Sequence, residues 1–289
     1  MDRERFHQPA EKRVNMAGKV YIVGAGPGAA DLLTLRAATL LRAAQVVLHD
    51  DLVPQEILDL CPASAQVINV GKRCGQRGRS QEQINALMVW HAQETEVKTI
   101  VRLKSGDPAV FGRLGEELDA LRRGGVEFEI IPGITAASAA AAAAGITLTD
   151  RRAASALVVV TAHNVRGEKL RVGGFDQKRT TIAVYMPGPD YSKTVQGLLE
   201  SGHNPTTPCA VVSNAGRKKE EVRYLTLQEL EYARGISAPA MLIVGEVAKQ
   251  HLSRRNEGLF REISSEARGH YRRDDVPAHA AFRDSESLP

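Results

Sequence analysis

Short runs of β-branched and apolar residues alternate along most of this chain with longer stretches of helical periodicity, and that alternation restricts the fold more than any other feature. In the first half, residues 19–23 precede 32–43, 46–49 precede 54–60, 67–70 precede 81–94, 99–104 precede 112–123, and 128–131 precede 135–144. Such a strand–helix series predicts an α/β fold: a largely parallel sheet with helices laid over it. After Arg152 the pattern resumes at 157–161, 180–186, 191–200, 209–213, 222–226, 227–233 and 241–245. The segments 209–213 and 222–226 flank a polar stretch, which predicts a hairpin and therefore a mixed second sheet. The expected division is an N-terminal α/β domain over 18–150 and a C-terminal α/β domain over 151–250. The break falls where Thr149-Asp150-Arg151-Arg152 interrupts the apolar pattern. Residues 1–17 and 251–289 are polar and mixed in charge, and are expected to form flexible tails.

Composition narrows the function classes. Hydrophobic residues make up 43% of the 289, charged residues 25%, and mean hydropathy is −0.23, which describes a soluble globular chain. The longest apolar stretch, 136–146, is too short and alanine-rich to cross a bilayer, and Met1-Asp2-Arg3-Glu4-Arg5 opens no signal peptide. A cytoplasmic protein without a membrane partner is expected. Cys61, Cys74 and Cys209 are scattered without CxxC spacing, so neither a disulfide framework nor a cysteine zinc site is expected. The eight histidines, among them His49, His91, His163 and His203, show no HxxxH or HExxH spacing, so no metal is expected either. Net charge is +4 and only 4% of residues are aromatic. That argues against a nucleic-acid partner but leaves a small anionic ligand open.

The first strand runs into Gly24-Ala25-Gly26-Pro27-Gly28, the kind of turn at which α/β proteins let a ligand approach backbone. A dinucleotide fingerprint is one reading, with Asp50 placed to hold a ribose. Against it, Ala29 stands where GxGxxG needs glycine and Pro27 lacks an amide. A purely structural tight turn is another reading.

More of the chain speaks for a third. Val23-Gly-Ala-Gly-Pro-Gly with Asp31-Leu-Leu-Thr-Leu-Arg, and Val101-Arg-Leu-Lys-Ser-Gly-Asp-Pro-Ala-Val-Phe-Gly-Arg, resemble the two signature segments of the uroporphyrinogen-III C-methyltransferases, a branch of the tetrapyrrole methylases. His49-Asp50-Asp51-Leu52-Val53, Val70-Gly71-Lys72-Arg73, Pro132-Gly-Ile-Thr-Ala-Ala, Gly145-Ile-Thr-Leu-Thr, Tyr185-Met186 and Ala238-Pro-Ala-Met-Leu-Ile-Val-Gly-Glu-Val follow in the family's order, over roughly residues 19–248. The resemblance implies two α/β domains with S-adenosylmethionine folded into the cleft between them. It implies successive methylation of uroporphyrinogen III at C2 and C7 to precorrin-2, in a homodimer, with no metal. With only a short tail upstream of the first strand, a monofunctional chain is expected.

By the same resemblance Asp50 is the proton acceptor and Lys72 the proton donor. Without it, Asp50 reads as a cap for the following helix and Lys72 as a solvated loop lysine. Pro27, Ser105, Gly106, Asp107, Val110, Thr135, Ala136, Met186 and Ala215 are placed around the methyl donor. Thr135 has the alternative of a helix N-cap and Met186 that of a core residue. A substrate with eight carboxylates calls for guanidinium groups, and Arg73, Arg77, Arg79, Arg113, Arg151 and Arg152 are the candidates. The sequence departs from the family pattern at Ser105 for glycine, Ala29-Ala30 for Asp-Pro, His49 for tyrosine, Asp150 for histidine and 213–216 for Glu-Asn-Gly-Thr. Asp150 sets a negative charge beside the expected carboxylate site. Other expected readings are a relative acting on another corrin precursor or on ribosomal RNA ribose, a nicotinamide-dependent oxidoreductase, and a non-catalytic binder of the methyl donor.

Overall fold

The structure is a computed structural model, and it describes residues 18–71, 79–94, 96–162 and 170–253. Contacts divide the chain after Lys249, and every element below lies in the first of the two units. The strands fall where β-branched side chains cluster: β1 (Lys19–Gly24), β2 (Val46–His49), β3 (Gln66–Asn69), β4 (Thr99–Lys104) and β5 (Phe128–Ile131). They form a five-stranded sheet in the order β3-β2-β4-β1-β5, and every pairing is parallel.

Alternation along the strands sends successive side chains to opposite faces. Val20, Ile22, Val46, Leu48 and Ile100 face α3 (Gln81–Gln93) and α4 (Leu114–Arg123), where they meet Ile84, Met88 and Leu121. Val23, Val47, Val101 and Leu103 face α1 (Leu35–Arg42) and α2 (Gln55–Leu58), where they meet Ala37, Leu41 and Ile57. A sheet buried on both faces is the expected state of an all-parallel array. Caps fix the helix starts: Thr34 accepts from Ala37 N at 3.1 Å, and Ser80 with Gln83 forms a capping box.

A second five-stranded sheet contains β6 (Ala156–Thr161), β7 (Thr180–Tyr185), β8 (Pro208–Ser213), β9 (Glu221–Thr226) and β10 (Ala240–Val244) in the order β6-β7-β10-β8-β9. β6 and β7 are parallel and the other pairs antiparallel, so the sheet is mixed and β8–β9 is the hairpin read from the sequence. One face packs on α6 (Ser192–Glu200) and α7 (Leu227–Glu231) through Val195, Leu198, Leu227 and Leu230. The other face, made of Ala183, Tyr185, Ala210, Val212, Met241 and Ile243, is covered by α5 (Ala136–Ala143). Seven of the eight residues of α5 are alanine, Ala136–Ala137 and Ala139–Ala143, and such small side chains let the helix backbone approach the sheet closely. Although α5 follows β5 in the chain, its buried face belongs to the second sheet's core. No described helix is long and apolar enough to cross a membrane.

Candidate functional site

A parallel sheet puts the carboxyl ends of all its strands on one edge, and open α/β sheets receive ligands there. That edge carries 24–28 after β1, Asp50 after β2, Ser105-Gly106-Asp107 after β4 and Pro132-Gly133 after β5. The second sheet brings Met186 from the end of β7 and Asn214-Ala215 from the end of β8. Several contacts join the two sets. The Thr135 hydroxyl hydrogen-bonds the Tyr185 hydroxyl, and the Phe111 ring lies 5.1 Å from that of Tyr185. Arg217, just beyond Ala215, donates from Nε to the Pro27 carbonyl at 2.9 Å and from Nη2 to the Leu52 carbonyl at 2.7 Å. Burial pushes the Arg217 pKa below its ordinary value.

Gly26 and Gly106 both have left-handed backbone (φ +66° and +70°) and exchange two backbone hydrogen bonds of 3.1 and 2.8 Å. The amide of Gly26 is thereby spent on the protein, which removes a donor that a pyrophosphate-binding turn would use. A Cβ on Gly133 would stand 2.4 Å from the Gly106 oxygen, and one on Gly24 2.6 Å from the Gly133 nitrogen, so backbone packs on backbone beneath the site. On Gly106 itself a Cβ would meet nothing closer than Ala136 N at 4.0 Å. Open space therefore lies between Gly106 and the first turn of α5, a cradle whose walls are main chain.

Asp107 fixes the loop that forms this cradle: Oδ1 accepts from Ala109 N at 2.8 Å and Oδ2 from Gly133 N at 3.0 Å. Val110, Ala136 and Ala215 pack partly buried against the α5 cluster, and the Pro27 carbonyl is held by Arg217. Thr135 stands at the N-cap position of α5, but its side chain makes no cap bond. The Tyr185 hydroxyl takes that role, accepting from Ala137 N at 3.1 Å while it engages Thr135. Met186 has φ +49° and is 48% exposed, so it projects away from the core. Ser105 is not among the residues with positive φ, and the side chain that replaces glycine is accommodated without backbone strain.

Asp50 does not cap α2, whose N-cap is Pro54 with no side-chain bond. Its carboxylate, 29% exposed, accepts from Arg102 Nη2 on Oδ1 at 2.5 Å and from Ser105 N on Oδ2 at 3.3 Å. Arg102 and Lys104 sit two residues apart on β4 and point to the α4 face, where the fully buried Glu117 receives Arg102 Nε and Lys104 Nζ on Oε1, each at 2.9 Å. Arg102 Nη1 also donates to the Leu48 and Leu103 carbonyls at 3.2 and 3.1 Å. Burial opposes the Arg102 charge, but Asp50 and Glu117 hold its pKa above the ordinary arginine value. Burial and the neighbouring Arg102 push Lys104 below the ordinary lysine value, partly offset by Glu117.

The expected substrate guanidiniums fare differently. Arg113, with φ +56°, pairs with Glu116 through two hydrogen bonds of 2.8 and 2.7 Å. Arg152 pairs with Asp150 at 3.1 and 2.8 Å, and Asp150 is held well below the usual carboxylate range by that side chain and by the Arg152 amide. The negative charge that Asp150 introduces is thus matched within two residues. Arg151 is exposed, and Arg79 donates to the Asn69 carbonyl at 2.9 Å. Lys72, Arg73 and Arg77, together with Cys74 and His163, lie outside the described residues.

The family model for tetrapyrrole (corrin/porphyrin) methylases matches residues 19–231. The chain belongs to this family. Among curated relatives, siroheme synthase 1 of Pectobacterium atrosepticum is 42% identical over 255 residues, which are 87% of this chain and 53% of that one. This methylase therefore spans about half the length of the curated relatives it matches. Among solved structures, uroporphyrin-III C-methyl transferase from Thermus thermophilus, complexed with S-adenyl homocysteine, is 36% identical with a TM-score of 0.68, covering 80% of this chain and 99% of that one. A cobalt precorrin-4 methyltransferase is 32% identical with a TM-score of 0.69, covering 81% and 96%.

Reading the methylase sequence alone missed three residues of the site: Arg102, Glu117 and Arg217. A signal for the first was present, because two cations in the apolar run Thr99-Ile-Val-Arg-Leu-Lys imply a buried counter-charge. Nothing in the sequence pointed to Glu117 rather than Glu116, or aimed Arg217 at two carbonyls more than 160 residues away.

Proposed function

We propose that this methylase transfers methyl groups from S-adenosylmethionine to ring carbons of uroporphyrinogen III, at C2 and C7, giving precorrin-2 and S-adenosylhomocysteine. The observation that carries the reading is Asp50, a part-exposed carboxylate held by Arg102 on Oδ1 and by the Ser105 amide on Oδ2, on the strand edge that also carries the main-chain cradle at Gly106. The likeness to the Thermus enzyme in complex with S-adenyl homocysteine supports that donor, and its uroporphyrin substrate supports the acceptor. A donor of this kind supplies a methyl group already activated by its positive sulfur.

What remains for the chain is alignment and proton management. The turn 24–28, the loop 105–110, Thr135-Ala136, Met186 and Ala215 surround the cradle and hold the donor. Asp50 accepts the proton that the macrocycle gives up as the new carbon–carbon bond forms and the carbon–sulfur bond breaks. Lys72 is the proton donor, and Arg73, Arg77, Arg79, Arg113, Arg151 and Arg152 supply the carboxylate contacts. Arg113 and Arg152 exchange their present carboxylate partners, Glu116 and Asp150, for those of the substrate. The chain works as a homodimer in the cytoplasm.

The likeness to a cobalt precorrin-4 methyltransferase favours a second acceptor, a later corrin precursor. Release of S-adenosylhomocysteine with each acceptor separates the two. Turnover with uroporphyrinogen III, depressed about 100-fold in Asp50→Asn with donor affinity unchanged, is the expected result. Turnover only with the corrin precursor, or an Asp50→Asn variant as active as the parent, contradicts the reading.

A further inference from the structure

Four charged side chains form one chain of contacts beneath the carboxyl edge of the first sheet. Lys104 Nζ and Arg102 Nε both reach Glu117 Oε1 at 2.9 Å, and Arg102 Nη2 reaches Asp50 Oδ1 at 2.5 Å. Gln81 Nε2 adds a third donor to the same Glu117 oxygen at 3.4 Å. The signs alternate, so the formal charges cancel within the group. Side-chain exposures are 4% for Lys104, 0% for Glu117 and 3% for Arg102, rising to 29% at Asp50. The group is therefore closed at its inner end and reaches solvent chiefly at the Asp50 carboxylate on the strand edge. Burying three charges is costly, and hydrophobic residues of similar volume often serve stability as well or better.

We propose that Glu117 is a positioning residue for Asp50, acting through Arg102. This inference rests on Asp50 being the proton acceptor. A guanidinium is planar, and each of its nitrogens here has an assigned partner: Nε on Glu117, Nη1 on two main-chain carbonyls, Nη2 on Asp50. Glu117 sets the rotation of that plane about the side-chain axis, and the plane sets the direction from which Asp50 Oδ1 is held. Oδ1 is thereby engaged by a short charged bond. Among the described residues, Oδ2 has only the long contact from Ser105 N, 3.3 Å. Oδ2 is the oxygen that accepts the proton. Lys104 keeps Glu117 from rotating toward Arg102 alone, because both cations share one of its oxygens while Oε2 has no hydrogen-bond partner among the described residues.

A double-mutant cycle tests this, since residues that act as one unit give non-additive effects. Turnover is measured for the parent, Glu117→Gln, Asp50→Asn and the double variant, with calorimetric affinity for S-adenosylhomocysteine as the control for folding. The expected result is a loss of about tenfold or more in kcat for Glu117→Gln, with KM and donor affinity little changed, and less than about twofold further loss when Asp50 is already Asn. Equal losses in both backgrounds overturn the proposal. An unimpaired Asp50→Asn variant instead removes the proton-acceptor reading on which the proposal rests. Should Glu117→Gln not fold, Arg102→Lys, which keeps the charge but loses the fork, carries the same cycle with the same expectation. A crystal structure of the Glu117→Gln protein with S-adenosylhomocysteine gives a readout free of turnover. Separation of Arg102 Nη2 from Asp50 Oδ1 beyond hydrogen-bond distance supports the proposal, and an unchanged contact contradicts it.

Discussion

Gly106 shows how one residue separates folding from ligand binding. Its φ of +70° is left-handed, but a Cβ there would point into open space with Ala136 N no nearer than 4.0 Å. Gly106→Ala should therefore lower stability by only about 1–2 kcal/mol, the ordinary cost of a left-handed L-residue. Donor affinity, measured by calorimetry, should fall at least tenfold because the methyl group occupies the cradle, and unchanged affinity would place the donor elsewhere. Its neighbour Ser105 makes the opposite case. The buried Ser105 hydroxyl has no hydrogen-bond partner among the described residues, so Ser105→Ala should leave the thermal midpoint unchanged or raise it, by up to about 1 kcal/mol in stability. At this scale the sequence was legible where the backbone decides, as at Gly24, Gly26 and Gly106. It was not legible where a side chain chooses among distant partners: Arg102 and Asp50 are 52 residues apart, and no local rule pairs them.

Elements were legible to within a few residues because their signals are local. β2, β4 and β5 begin and end where the β-branched runs do, and the hairpin of β8 and β9 follows from the polar stretch between them. What alanine-rich α5 covers was not legible, since a helix apolar nearly all round carries no mark of which sheet it faces. The structure gives it to the second sheet, where Ala140 is fully buried. Ala140→Leu should overfill that contact and destabilise by about 1–3 kcal/mol in urea unfolding, whereas a surface position would tolerate it. The end of α6 carries a pH response. His203, 7% exposed, places Nδ1 3.1 Å from the Leu198 carbonyl, and burial pushes its pKa below the ordinary 6.5. The unfolded chain takes up that proton at a higher pH than the folded one, so stability is intact above the ordinary value and falls as pH drops beneath it. Urea midpoints measured from about pH 7.5 to 5 should decline, and decline less in His203→Gln; parallel curves would assign the acid sensitivity to other groups.

At the scale of the whole molecule, Arg217 ties the sheet that supplies Met186 and Ala215 to the sheet that supplies Asp50. Its guanidinium holds the Pro27 carbonyl beside the cradle and the Leu52 carbonyl two residues beyond Asp50. Gly28 leaves it room: a Cβ there would stand 2.7 Å from Arg217 Nε. Arg217→Ala leaves both carbonyls without this partner and should lower stability by about 1–3 kcal/mol, with a higher KM for the methyl donor; a change in neither would show that other contacts hold the two sheets in register. In the proposed reaction, the strand edge joins a methyl donor to a tetrapyrrole carbon next to Asp50. The most direct measurement is incubation with uroporphyrinogen III and S-adenosylmethionine labelled in its methyl carbon, followed by mass and carbon NMR of the pigment. Two labelled methyl groups on ring carbons C2 and C7 are predicted. An unlabelled pigment, or label recovered only on a different acceptor, would contradict the account.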